Sequence, residues 1–508
     1  MAGGCGDPED ERREVPTVFA QEKSENRKTA KPRNVRQPRG GGEARARGPG
    51  LQAPWLALHG ALLAASLSPF AASAQRVGTI GEPFAERLAR AYTRLGNDLL
   101  VIRSVNAPGG AAGSFRQDAN FYYFTGSSST LGAVLVLDGA AKRAELFLPT
   151  QLPPSSQFFA PGQPPAARAI ADSFHVDRVS DWREFSAYVD SRLSSNDRLV
   201  IRVDDGGEVN FAGGLGTPLD SLAAIENPHL AWRRAITRRW PAADVRFGHD
   251  VTGAVRLVKD ADEIATLRRV AEISALALRD GLPRFSPGRR QREVEAAVVE
   301  TCTRLGDGPS FWPWAMSGPN AVFPTPFTSF ADPHNLDRAM RDGEVARLDV
   351  GCAIGHYMGD VGRTVPVSGK YSAGQAEVID LLVAAYRAGL AVLHEGARVA
   401  DVVRASVAEV VRRQPSLRTP LGKAAAATIT RPDGIPYWQL HGTGLDPADA
   451  VPDTLRAGMV VDYEPIFSAD GQGFYMEDMI LVTRTGFEIL TKNLPYTAAE
   501  IERAMRHR

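Results

Sequence analysis

The chain has almost no cysteine, three in 508 residues. That excludes a fold stapled by a disulfide framework. Only Cys302 and Cys352 lie in the part expected to fold, and they read as two free buried thiols, with a bond between them as the alternative. Net charge is lacking too. Lys and Arg number 59, Asp and Glu 59, and the formal charge is zero. Nothing in that balance points to a nucleic-acid or membrane-surface partner. A long apolar run is also missing: Trp55 to Phe70 is too short and too interrupted for a comfortable membrane span. Finally, there is no phosphate loop. Gly213-Gly214-Leu215-Gly216 lacks the strand-to-helix setting such a loop needs and reads as a turn.

What is present is an ordinary globular composition, 44% hydrophobic and 23% charged, long enough for two or more cores. Residues 1–50 are polar and aperiodic, a disordered extension. Residues 51–74 combine a basic flank (Arg45, Arg47), the apolar run and Ala72-Ser73-Ala74, which reads as a secretory signal cleaved before Gln75. The mature protein is then expected outside the cytoplasm, secreted or periplasmic, with no stable membrane insertion. Residues 75–250 alternate strands (Leu99–Ile102, Ala133–Leu137, Ala144–Leu148, Leu199–Val203, near Val245) with helices (from Glu82, Trp182–Leu193, Asp220–Trp232). That alternation predicts an α/β domain, in which no metal-ligand cluster is apparent. A loop fits residues 153–165. Residues 251–508 open with helices to Leu282 and over Gln291–Leu305. Loops follow from Pro309 to Asn335, then strands from Glu344, helices over Ala373–His394 and Val399–Arg413, and strands Val460–Phe467 and Phe474–Val482.

The chemistry concentrates in Arg347 to Pro366. Asp349 and Asp360 stand eleven residues apart in apolar strand-like runs, with Gly351 and Gly355 at the turn between them. A buried carboxylate needs a cation or a hydrogen-bonded partner to stay ionised, and two facing one site repel. Glu464 and Glu477 each interrupt a later apolar strand, and His441 lies between the pairs in Leu440-His441-Gly442-Thr443-Gly444. Any one of these alone reads as a turn, an ion pair or a satisfied histidine. Together, Asp, Asp, His, Glu, Glu form a hard, oxygen-rich set suited to Mn²⁺, with Zn²⁺ or Co²⁺ by substitution. Two ions could share the bridging carboxylates and hold a hydroxide between them.

At these residues the chain resembles the M24 metallopeptidase family, which includes aminopeptidase P and Xaa-Pro dipeptidase. FRQDANFYYFTG resembles the amino-terminal domain of creatinase and aminopeptidase P, and RLVKDADEI the entry to the catalytic domain. RDGEVARLDVGCAIGHYMGDVGRTVPVSGKYSAGQ, HGTGLD, GMVVDYEPIF and GFYMEDMILVT resemble its successive motifs. The resemblance implies an α/β amino-terminal domain followed by an α+β pita-bread catalytic domain. It implies two divalent metal ions on Asp349, Asp360, His441, Glu464 and Glu477, a metal-bridging hydroxide as nucleophile, and Glu464 as the residue that takes and returns its proton. It implies a peptide substrate cut near a terminus, with Xaa-Pro the candidate class, and a homo-oligomer.

The substrate shell departs from the family. A substrate-binding histidine normally precedes the first aspartate; a gapless reading places Thr325 there, while His334, in His334-Asn335-Leu336-Asp337-Arg338, matches the segment that follows it, and His334 is taken as the catalytic and substrate-binding candidate. Two further family histidines are replaced by Tyr437 and Ala448, and an arginine two residues before the last glutamate by Tyr475. Tyr437 and Tyr475 are therefore candidate substrate-binding phenols, or packing residues. His356 is placed outside the ligand set, and Arg363 is expected to pair with a carboxylate. The alternatives are hydrolysis of another small amide or ester, creatinase-like C–N cleavage, or a non-catalytic peptide-binding pita-bread protein. Four carboxylates around one cavity speak for catalysis.

Overall fold

The structure is a computed structural model. It describes residues 83–105, 116–149, 171–195, 198–205, 228–322, 337–431, 438–447, 449 and 451–506. The extension, the signal-like segment, the loop at 153–165, the turn at 213–216, Thr325, His334, Tyr437 and Ala448 lie outside the described residues. Among the described residues no helix is long and apolar enough to cross a membrane.

The first domain carries α1 (Pro83–Leu95), β1 (Leu99–Arg103), α2 (Ala119–Thr125), β2 (Val134–Asp138), β3 (Arg143–Leu148), β4 (Arg178–Asp181), α3 (Phe185–Ser194), β5 (Val200–Val203), α4 (Pro228–Arg239), β6 (Asp244–Phe247) and α5 (His249–Arg256). Its six strands run in the order β4-β3-β2-β1-β5-β6. The central strands β1 and β2 are apolar on both faces because both are covered. Phe185 and Val189 of α3, Ile236 of α4 and Trp240 just after it fill one side. On the other, Leu88, Ala91 and Leu95 of α1 and Phe121 and Phe124 of α2 join a core that continues into the second domain through Leu267, Val270 and Met479. Part of the quoted FRQDANFYYFTG motif proves helical. Asp118 caps α2 by accepting from the Phe121 amide at 2.8 Å, and Gly126 closes it at φ 66°.

The second domain follows with α6 (Ala261–Gly281), α7 (Gln291–Leu305), β7 (Trp314–Ser317), β8 (Val345–Val350), β9 (Ala353–Ile354), β10 (Tyr357–Met358), β11 (Val361–Pro366), α8 (Ala373–Leu390), α9 (Val399–Arg413), α10 (Pro420–Ile429), β12 (Trp438–Gly442), β13 (Val460–Ala469), β14 (Gln472–Val482), β15 (Phe487–Ile489) and α11 (Ala498–Arg506). An antiparallel sheet runs β12-β13-β14-β11-β8-β7, with β15 beside β14. Period-two alternation sorts its residues. Leu348, Val350, Val361, Val365, Val461, Tyr463, Phe474, Met476 and Ile480 pack against the helices in one large core. The opposite face carries the acids.

Two expectations are corrected. The stretch from Pro309 to Asn335 is not all loop: β7 pairs with β8, Trp314 against Asp349 and Met316 against Arg347, as a four-residue edge strand. Cys302 and Cys352 are not free thiols but a disulfide, with Cα atoms 5.0 Å apart. The end of α7 packs over the turn after β8, which brings residues 50 apart in sequence together, and both are fully buried.

At the seam between the domains, α6 begins with a reciprocal cap. Asp260 accepts from the Asp262 and Glu263 amides, and Glu263 accepts from the Asp260 amide at 2.9 Å. Glu263 is buried, and burial pushes its carboxyl up to about 7 although Arg87 lies 4.0 Å away. A carboxyl whose folded pKa exceeds its unfolded value stabilises the fold below the unfolded pKa and loses that contribution as pH rises through about 7. Glu263→Gln is therefore expected to shrink the fall in unfolding free energy between pH 5 and pH 8 by about 2–3 kcal/mol, read by urea denaturation. An unchanged slope would show that another group carries it.

Candidate metal centre

The second sheet's register arranges the acids in rows. Gly362 on β11 pairs with both Asp349 on β8 and Glu477 on β14. Tyr463 pairs with Asp478 and Ile466 with Tyr475, so Glu464 on β13 stands opposite Glu477. One row across the face therefore reads Asp349, Gly362, Glu477, Glu464. The next row holds Asp360, just before β11, and Asp462 on β13, which pairs with His441 on β12. The five residues proposed from sequence as ligands thus come from β8, the residue before β11, β12, β13 and β14 onto two adjoining rows of one face. Donor atoms of Asp360, His441, Asp462 and Glu477 all lie within 4.8 Å of one another. His441 Nε2 is 3.4 Å from Glu477 and 3.7 Å from Glu464, and its Nδ1 faces the Gly442 carbonyl at 3.2 Å. That contact leaves Nε2 directed at the acids, the arrangement a metal-ligating imidazole uses.

Several oxygens of these acids lack donors. Asp349 Oδ1, Asp360 Oδ1 and Glu477 Oε1 are buried and have no hydrogen-bond partner among the described residues. Burial, then the neighbouring charges of Glu477 and Glu464, hold Asp349 well above the usual carboxylate range. Burial, then Glu477 and Asp349, do the same to Asp360. Glu464 is raised by burial and by Glu477. His441 is pushed the other way from a buried imidazole: its burial opposes protonation, but Glu464 and Glu477 more than offset it and raise the group well above its ordinary value. So many like charges at this separation fit a site built for cations.

Sequence reasoning missed two charged residues here. Asp462 is fully buried, and its Oδ2 lies 3.8 Å from His441 Nδ1. Arg347 is 4% exposed and shares the face of Asp349 two residues on. The available signal was the strand period: each lies two residues before an assigned ligand, hence on the same face. A second cluster, Asp118, Asp204 and His229, occurs in the first domain, where none was apparent from sequence. Its acids already have partners: Asp118 caps α2 and Asp204 accepts from Asn120 at 2.6 Å.

Tyr475 is fully buried, and its hydroxyl donates to Glu477 Oε2 at 2.5 Å, so it both packs and orients a ligand candidate. Its ring lies across Gly362. A Cβ there would be 1.8 Å from the ring. Gly362→Ala is expected to lower stability by about 1–3 kcal/mol and to release Glu477, read as a lower melting temperature with reduced metal content. A variant that melts and loads like the parent would show that the ring moves aside freely.

Beneath the same strands, Arg363 pairs with Asp478 at 3.0 Å, as expected, both groups being buried. It also donates to the Glu477 carbonyl at 2.6 Å, and the Tyr386 and Thr491 hydroxyls donate to Asp478. This paired network holds β11 to β14 where the acids repel. His356 instead turns at φ 68° and packs its ring on Tyr122, 4.4 Å between centroids. From the first domain, Arg116 donates to the Leu445 carbonyl, and Arg256 binds Asp446 and Asp449 just past His441.

Residues 265–484 match the model of metallopeptidase family M24, and residues 84–201 match the aminopeptidase P amino-terminal domain. The second domain is thus of the M24 metallopeptidase type, a family of metal-dependent peptidases that act through divalent metal ions. The chain as a whole is aminopeptidase P-like. It is 28% identical to the Xaa-Pro aminopeptidase of Escherichia coli over 418 residues, 77% of this chain and 89% of that protein. Zinc-substituted E. coli aminopeptidase P in complex with product superposes with a TM-score of 0.63 at 25% identity, covering 84% of this chain and 98% of that one. Proline aminopeptidase P II from Yersinia pestis gives 0.64 at 25% identity, covering 85% and 100%.

Proposed function

We propose that the chain is a dinuclear exopeptidase that hydrolyses the first peptide bond of short peptides, Xaa-Pro bonds among them. The observation that carries this is the pair of acid rows on one sheet face, where Asp349 Oδ1, Asp360 Oδ1 and Glu477 Oε1 are buried without a partner among the described residues and His441 Nε2 lies 3.4 Å from Glu477. Asp349, Asp360, His441, Glu464 and Glu477 would hold two divalent ions, Mn²⁺ being the candidate that the oxygen-rich donor set favours. Such ions, when bound, polarise a carbonyl and acidify water. The residues do the rest. Glu464, 14% exposed at its side chain where that of Glu477 is 1%, has access to an entering water and is assigned the proton transfers. Tyr475 holds Glu477 in place through its hydroxyl. Relatives named as Xaa-Pro aminopeptidases support proline as the second residue. Tyr475, standing where the family carries arginine, argues for a preference weaker than theirs.

The buried Cys302–Cys352 disulfide supports an oxidising compartment, and with the signal-like segment 51–74 it supports export with cleavage before Gln75. The test is to strip the purified protein with chelator, reload it with Mn²⁺, Zn²⁺ or Co²⁺, and assay Xaa-Pro and non-proline peptides. Hydrolysis that returns with metal and releases a single amino-terminal residue is expected. Metal-free activity, or binding without hydrolysis, would overturn the proposal.

A further inference from the structure

Among the described residues, Arg347 is the one guanidinium on the sheet face that carries the acids. It occupies the row beside Asp349, Gly362, Glu477 and Glu464, pairing with Met316 on one side and Thr364 on the other, and Thr364 is flanked in turn by Tyr475. Although it is 4% exposed, its only hydrogen bond among the described residues goes to the Met316 thioether at 3.3 Å, and its Nε has no partner. The guanidinium lies 5.9 Å from the centre of the Tyr475 ring. A buried guanidinium with unmet donors is costly, and a thioether is a weak acceptor. The nearby acids do not satisfy it, since none accepts from it, and bound divalent ions would claim their oxygens.

We propose that Arg347 receives the carboxylate of the substrate, and that the enzyme is built for di- and tripeptides with a free carboxyl terminus. This rests on the exopeptidase reading above. A peptide has one obligatory anion, its terminal carboxylate, and the planar fork of arginine matches that group in two parallel hydrogen bonds. The spacing agrees. Alternate residues of a strand lie roughly 7 Å apart, the distance from the Asp349 row to the Arg347 row. A peptide advances about 3.5 Å per residue, so a scissile bond held over the acids brings a carboxylate one or two residues downstream to Arg347. Asp462 fits the same account: the added anion at the His441 end and the added cation at the other polarise the face along its length.

The test compares Ala-Pro-Ala with its carboxyl-terminal amide on the metal-loaded protein. The acid is expected to be favoured by about tenfold or more in kcat/KM, chiefly through KM. Arg347→Met should abolish that preference by weakening the acid far more than the amide, and Arg347→Lys should restore part of it. The parent comparison needs no variant, so it decides even if Arg347→Met fails to fold. Calorimetric binding of both peptides to the metal-free parent gives the same comparison without turnover, which separates failure here from failure of the exopeptidase reading. Equal handling of acid and amide by the parent, or equal loss of both in Arg347→Met, would overturn the assignment.

Discussion

Glu464→Gln is expected to fold, to melt within a few degrees of the parent, and to lose about 10³ in kcat. Glutamine keeps the shape of the side chain but takes no proton at neutral pH. The position is specific. Glu464 stands opposite Glu477 across β13 and β14, with His441 Nε2 3.7 Å away, yet its side chain is 14% exposed where that of Glu477 is 1%. A proton acceptor must meet water and substrate, so of these two only Glu464 is placed for it. Metal content by mass spectrometry divides the effect. A loaded but inactive variant assigns Glu464 to proton transfer; an empty one assigns it chiefly to ligation. Full activity in purified Glu464→Gln would sink the site assignment.

The parts of this site that were legible in the sequence share a cause. Asp349, Asp360, Glu464 and Glu477 interrupt apolar strands, and an acid in an apolar strand has no local explanation, so it stands out. Asp462 and Arg347 did not stand out, because each sits beside an assigned ligand and was absorbed into its motif. Only the register, with Asp462 against His441 and Arg347 between Met316 and Thr364, shows that they face the same way. Strand β7 was hidden for a different reason. Four residues in a stretch rich in proline and phenylalanine carry little periodicity, and its pairing with β8 is a tertiary fact. The disulfide was hidden likewise, since 50 residues of separation say nothing about the 5.0 Å between Cα atoms. Helices α7 and α9 were readable to the residue because an amphipathic period runs their whole length.

Asp360→Asn is expected to change the sign of its effect on stability with metal. In the parent, Asp360 is 8% exposed, and its carboxyl is held well above its usual range by burial and then by Glu477, Asp349, Asp462 and Glu464. Without metal these groups repel. Because their folded pKa values are raised, the metal-free protein is favoured while they are protonated and loses stability as pH climbs through those raised values. Removing one acid relieves the repulsion, so in chelator Asp360→Asn should be more stable than the parent by about 1–2 kcal/mol, with a shallower loss toward alkaline pH. With metal in hundredfold excess over its dissociation constant the parent should gain about 2.7 kcal/mol, and the variant, short of an anionic ligand, only a small part of that. The two orders of stability should therefore cross, and melting in chelator and in excess Mn²⁺ reads both. A variant less stable than the parent in both conditions would mean that Asp360 is held by contacts rather than kept for a cation, and the metal centre would have to be sought elsewhere in the fold.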